Sequence, residues 1–162
     1  MSTVLGIDPG IAATGFGVIT VEAGRFRCVE YGVIRTRSDR TPGDRLREIY
    51  DAVLERVGTH NPDMAGIESL YFTKNVTSAI PVAQARGVVL LALAQAAVPT
   101  CEYTPQAIKQ AVVGSGQADK EQVIQMVRII LGMPDPPRPD HAADALATAI
   151  TRFNGKDAPR VQ

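Results

Sequence analysis

The chain begins with a short apolar run, Val4 to Ile7, closed by Asp8-Pro9-Gly10, which reads as a buried strand ending in a turn. Gly15 to Val21 (GFGVITV) predicts a second strand. Ala23-Gly24 is a hairpin signal, and Phe26 to Thr36 (FRCVEYGVIRT) alternates like a third strand, so the opening predicts an antiparallel meander. The period then changes. After Thr41-Pro42, Leu46, Ile49, Tyr50, Val53, Leu54 and Val57 recur at helical spacing, and Gly58 is the expected stop. Met64 to Ile67 predicts a short buried strand ending at Glu68. Asn75 to Ala97 predicts a long helix whose Ala79, Ala83 and Gly87 form a seam of small residues, and Val98 to Tyr103 a fifth strand. Thr104 caps a short helix to Val113. Beyond the glycine loop GSGQ, Asp119 and Gln122 form a capping box for a helix over 120–131. Prolines between Pro134 and Pro139 stiffen the connection to a last helix, which starts near Asp140 and fades around Asn154.

This order predicts an α/β fold with a mixed five-stranded sheet flanked by helices. Residues 1–154 are expected to form one domain, with 155–162 a flexible C-terminal tail. The 162 residues, 45% apolar and 21% charged, suit one sizeable core. Lys plus Arg and Asp plus Glu balance at 17 each, which weighs against a generally basic nucleic-acid binder but leaves room for local patches. Cys28 and Cys101 form no disulfide framework or metal pair and read as reduced intracellular thiols. The N-terminus carries no signal-peptide pattern, and the longest apolar tract, Gly87 to Val98, is shorter than a membrane span. A cytoplasmic protein with no membrane partner is expected.

Carboxylates change the picture. Asp8 and Glu68 each close a buried strand, and sites in open α/β sheets gather at strand ends. The stretch PDHAADALATAI places Asp140, His141 and Asp144 at the head of an apolar helix, with His141 and Asp144 on one face. Asp140 reads as the N-cap. Asp8 could also start a turn, and Glu68 could be a solvated strand end. Asp144 lies among Ala142, Ala143, Ala145 and Leu146, where a solvated aspartate is not expected. Hard oxygen and nitrogen donors converging there would suit divalent cations, and carboxylates so close would repel one another without one.

GIDPGIAATGFGVI, IESLYFTKN with QARGVVLLA, YTPQAIKQAVVGSGQADKEQV and DHAADALATAI, in this order and spacing over nearly the whole chain, resemble the RuvC family of Holliday-junction resolvases, the crossover-junction endodeoxyribonucleases. The resemblance implies a ribonuclease-H-like fold, a homodimer, and paired nicks in strands of the same polarity in four-way junction DNA. It implies Mg²⁺ or Mn²⁺, two per active site, held by Asp8, Glu68, His141 and Asp144. Many family members have aspartate where this chain has His141, and imidazole at that position is a known variant. Two cations about 3.5–4 Å apart can supply what phosphodiester cleavage needs: a nucleophilic water, a shielded phosphate and a stabilised leaving oxygen. Neither a Ser-His-Asp arrangement nor a thiol nucleophile is evident.

The resemblance also implies DNA contacts. Tyr71 matches an aromatic that inserts at the junction, with Phe72, Lys74 and Asn75 beside it; stacking and phosphate contact suit these side chains. Lys109 and Lys120 match basic residues that touch phosphate near the cut. Gly114 and Gly116 could admit a phosphate or simply make a turn. Arg35, Arg37, Arg40, Arg45 and Arg47 could form a DNA flank or a solvated face, diluted by Asp39, Asp44 and Glu48. The Ala79–Ala83–Gly87 seam is the candidate dimer interface, its alternative being packing on its own sheet. A RuvA–RuvB branch-migration complex is the implied motor. Three rival readings stand beside this one: an actin-like phosphate-binding hairpin, a non-catalytic junction binder, and a nuclease of the same fold acting on RNA–DNA hybrids or other branched DNA.

Overall fold

The computed structural model describes residues 1–69 and 76–155. Among the described residues, five strands and five helices follow in the order the sequence predicts: β1 (Ser2–Asp8), β2 (Ala13–Glu22), β3 (Arg25–Arg35), α1 (Pro42–His60), β4 (Met64–Glu68), α2 (Val76–Gln95), β5 (Thr100–Tyr103), α3 (Pro105–Val113), α4 (Lys120–Ile130) and α5 (Asp140–Asn154). The sheet order is β3-β2-β1-β4-β5. β1, β2 and β3 form the antiparallel meander, and β4 and β5 add in parallel through helical crossovers. Ala23 and Gly24 both take positive φ, which is what a tight two-residue hairpin turn demands.

Strand alternation divides the core between two faces. On β1, Val4 joins a cluster with Ile108, Val123, Val127, Leu146 and Ile150 of the α3–α4–α5 layer. Leu5 and Ile7 face the other way, onto Ile49 and Val53 of α1 and Ala85, Val89 and Leu93 of α2. Continuing the alternation turns Asp8 toward α5. On β4, Ala65 and Ile67 face α1 and α2, so Glu68 also turns toward α5.

α5 lies unusually close to the sheet. A Cβ at Gly6 would run into the backbone of Ala145 and Ala149, and one at Gly15 would run into the carbonyl of His141. Arg152, buried near the far end of α5, donates from Nε to the Ala65 carbonyl at 3.1 Å. Gly6→Ala therefore forces backbone apart rather than displacing a flexible side chain. It is expected to cost about 3 kcal/mol or more of stability, measurable by chemical denaturation. A loss below about 1 kcal/mol would mean that α5 slides freely on the sheet.

Three local expectations need correction, and one alternative reading falls away. α1 does not stop at Gly58 but runs to His60, because Asn61 with φ 45° supplies the left-handed C-cap. Asp140 does not cap α5: Pro139 occupies the cap position with no side-chain hydrogen bond, and Asp140 is the first helical residue. The Ala79–Ala83–Gly87 seam does not pack on its own sheet; Ala83 and Gly87 are exposed while Ala85, Val89, Ala92 and Leu93 face the core. Finally, α2 as a whole is the one described helix long and apolar enough to cross a membrane, which the shorter tract read from the sequence was not. Its buried face and the bidentate pair from Arg86 to Glu102 of β5, at 2.5 and 2.6 Å, make it a helix of the fold's own core. The Thr104 cap and the Asp119–Gln122 capping box are as expected, and Thr41 caps α1 where Thr41-Pro42 marks its opening in the sequence. Burial pushes the Cys28 thiol up to about 11, so it stays a protonated packing group.

Candidate metal centre

Three sequence-distant segments meet where β1 and β4 end. Asp8, the last residue of β1, is only 7% exposed. The turn after it is braced by buried Thr14, whose hydroxyl donates to the Gly10 carbonyl at 2.6 Å and accepts from the Gly10 N–H at 3.2 Å. Because α5 sits directly on Gly15, which pairs with Asp8 in the sheet, the first turn of α5 is held against the strand end. His141 Nδ1 then lies 2.9 Å from Asp8 Oδ2. Asp8, His141 and Asp144 each present a ligand atom within 4.8 Å of the others. Glu68 closes β4 beside them, near enough for the charges of Asp8 and Asp144 to act on its carboxyl.

The electrostatics are those of a cation site. Burial first, then the charges of Asp8 and Asp144, lift the Glu68 carboxyl to about 8. Burial also raises Asp144, against the hydrogen bond and charge of Lys120 that pull it down. Lys120 Nζ donates to Asp144 Oδ2 at 3.0 Å and stands 4.0 Å from Asp140. Burial alone would lower its ammonium; the Asp144 hydrogen bond and the charges of Asp144, Asp140 and Glu68 carry it above its ordinary value. Several carboxylates and an imidazole, crowded and partly desolvated, have the donors and the mutual repulsion, offset only in part by Lys120, that a divalent cation satisfies.

Of the residues predicted from sequence, Asp8, His141 and Asp144 bring ligand atoms within 4.8 Å of one another, and Glu68 stands outside that trio, at the adjoining strand end and across a cavity from Asp144. Lys109 and Lys120 line a cavity of about 180 Å³ with Glu68 and Asp144, floored by Ile108 and Val123. Tyr71, Phe72, Lys74 and Asn75 lie outside the described residues. Gly114 caps α3 with φ 89°, the turn reading of that glycine. The arginine cluster is largely spoken for: Arg37 pairs with Asp39, Arg40 with Glu48 and Arg47 with Asp44, and Arg45 bonds Thr36, leaving a solvated face. Asp140, instead of capping, pairs with Arg138 at 3.4 Å, and Arg138 also holds Glu121. Sequence reasoning missed Gly15 as a positioning residue, although a glycine inside a strand signals a close backbone approach. It also missed the Lys120–Asp144 contact, which only the packing of α4 against α5 creates.

Carboxylates at adjacent strand ends, completed by a helix crossing a mixed sheet, define a divalent-metal nuclease of the ribonuclease-H-like class. The family model for crossover junction endodeoxyribonuclease RuvC matches residues 4–152, and the chain belongs to that family. Among named relatives, the crossover junction endodeoxyribonuclease RuvC of Treponema denticola is 54% identical over 98% of this chain and 89% of its own length. That of Brevibacillus brevis is 47% identical, over 91% of this chain and 89% of its own. The solved Thermus thermophilus RuvC matches with a TM-score of 0.89 at 39% identity, covering 96% of this chain and 95% of that one. The same organism's RuvC in complex with Holliday junction substrate matches at 0.88, with 36% identity and the same coverage.

Proposed function

We propose that this protein is a structure-specific endonuclease, contained in residues 1–154, that resolves four-way DNA junctions. It makes paired, symmetric, metal-dependent nicks that leave 5′-phosphate and 3′-hydroxyl ends. The observation that carries the reading is the convergence of Asp8, His141 and Asp144 within 4.8 Å, with Glu68 at the end of the neighbouring strand, in a chain of RuvC fold. Asp8, Glu68, His141 and Asp144 would hold two Mg²⁺ or Mn²⁺ ions, whose chemistry there would be to make a water nucleophilic and to offset the charge of the leaving 3′ oxygen. The chain's own residues do the rest. Asp8 fixes the His141 ring through Nδ1, and Lys120 keeps a cation beside Asp144. Lys109 and Lys120 line the cavity that receives the phosphate.

The exposed small-residue seam on α2, flanked by exposed Val76, Ile80 and Leu91, is the surface for a second copy. A two-fold dimer presents two sites to two strands of like polarity. Family resemblance extends the reading to a RuvA–RuvB motor and to work on DNA in the cytoplasm. Tyr71, Phe72, Lys74 and Asn75, following Glu68, supply the stacking and phosphate contacts at the junction centre.

The test is strand cleavage of a synthetic four-way junction beside a linear duplex of the same sequence, in Mn²⁺, Mg²⁺ and chelator. Paired nicks on the junction alone, absent in chelator, are expected. Junction binding with no cutting in either metal would overturn the nuclease reading. Imidazole at His141 makes the site softer and less anionic than a full carboxylate set. The native protein should therefore favour Mn²⁺ over Mg²⁺ at limiting ion, and His141→Asp should shift the preference toward Mg²⁺. Equal half-saturating concentrations of the two ions for the native protein would rule out this tuning.

A further inference from the structure

A second feature lies at the end of the sheet remote from Asp8. A groove of about 1000 Å³ runs between β3 and the end of α4. Val29, Tyr31 and Ile129 line it and stand 49%, 37% and 60% exposed, uncommon for large apolar side chains outside an interface. The other described patch of exposed apolar residues follows α2, on the opposite face of the sheet. Neither the metal centre nor the α2 seam uses this groove.

β3 is an edge strand, bonded only to β2 among the described residues. Its outer rim of backbone N–H and C=O groups is therefore open for pairing. Phe26 and Cys28 turn toward the α4 side, where they join the core cluster with Ile130 and Met133. Arg25 and Arg27 turn to the other face, beside Thr20 and Glu22. Neither arginine has an ion-pair partner among the described residues, whereas Arg37, Arg40, Arg47, Arg56, Arg86 and Arg138 all do. The register shift opposite Val18 and Ile19 makes Val29 the extra residue of a bulge, which opens the strand at the groove.

We propose that the edge of β3 binds an extended segment of a partner protein in which apolar and acidic residues alternate. An added strand has a side-chain period of two. Its residues on one face enter the groove against Ile129 and Met133, and those on the other meet Arg25 and Arg27. Nucleic acid would match the arginines but not the apolar wall. A second copy of this chain would set β3's own arginines against a surface that already carries them.

The probe is a fluorescein-labelled synthetic decapeptide of alternating valine and glutamate, titrated onto the full-length protein and followed by fluorescence anisotropy. Three comparison ligands are used: an alternating valine–lysine peptide, a peptide with the same valines and glutamates in two blocks, and linear duplex DNA. The alternating acidic peptide should bind best. Arg27→Glu and Ile129→Asp should each weaken it about tenfold or more, while both variants cut four-way junctions at the native rate. NMR shifts should be confined to residues 25–31 and 129–134. Absence of binding, or equal binding of the lysine or blocked peptide, would overturn the proposal. Loss of DNA affinity in Arg27→Glu would assign the edge to nucleic acid instead. Self-association abolished by Ile129→Asp in sedimentation would assign it to a second copy.

Discussion

Asp8→Asn is expected to abolish junction cleavage, by on the order of 10³-fold or more, while junction binding stays within a few-fold of native. Asp8 is the best-buried of the four ligand candidates. It also lies 2.9 Å from His141 Nδ1, and its charge acts on the Glu68 carboxyl. The amide keeps the shape and much of the hydrogen bonding but removes the charge a divalent ion needs. Loss of several kcal/mol of transition-state stabilisation corresponds to at least three decades in rate. In the proposed reading DNA is held by cations and stacking groups other than the carboxylates, so affinity should survive. Single-turnover cleavage and equilibrium binding of the same labelled junction separate the two effects. If the variant cut within tenfold of native, Asp8 would not be a ligand. If binding collapsed together with cutting, the lesion would be one of folding.

The candidate site residues stood out one by one in the sequence because each has a local signal, and it was the family resemblance that joined them into one site. Asp8 and Glu68 end apolar runs short enough to be read as strands, and the spacing from His141 to Asp144 puts both on one helical face. The parts that escaped are tertiary or depend on backbone angles. Asp140 next to a helical run has the chemistry of a cap, but the cap position falls on Pro139, at φ −74° and ψ 179°, and Asp140 enters the helix. Gly58 resembles a stop, yet a glycine mid-helix is only mildly unfavourable, and Asn61 in the left-handed region ends α1 instead. The Lys120–Asp144 pair requires α4 and α5 to meet at their N-termini, which no spacing along the chain reveals. Fold class was more secure than boundaries, since it rests on the order of strand-like and helix-like periods along the chain and not on where any one of them ends.

Glu68→Gln is expected to raise the stability of the metal-free protein above pH 8 while it abolishes cleavage. In the folded state, burial and the neighbouring Asp8 and Asp144 hold the Glu68 carboxyl protonated up to about 8, against an ordinary value of 4.5. The native state therefore binds more protons than the unfolded chain between those values, so stability falls as pH rises through that window. Below 4.5 the penalty is absent; above 8 it is fully present, on the order of a few kcal/mol. Asp144, also raised, adds in the same direction. Glutamine keeps the volume and cannot ionise, so the difference in Tm between variant and native, measured in chelator, should be small at pH 5 and grow by several degrees toward pH 9. Divalent ion should reverse the order. It binds the native carboxylates more tightly as pH rises, displaces their protons and stabilises the native protein, but has much less to grip in the variant. Calorimetry across pH 5–9, with and without Mn²⁺, tests both halves. A native Tm as high as the variant's at pH 9 in chelator would mean the carboxylates do not repel one another. A Mn²⁺ response equal in both proteins would mean Glu68 is not among the groups that hold the ion.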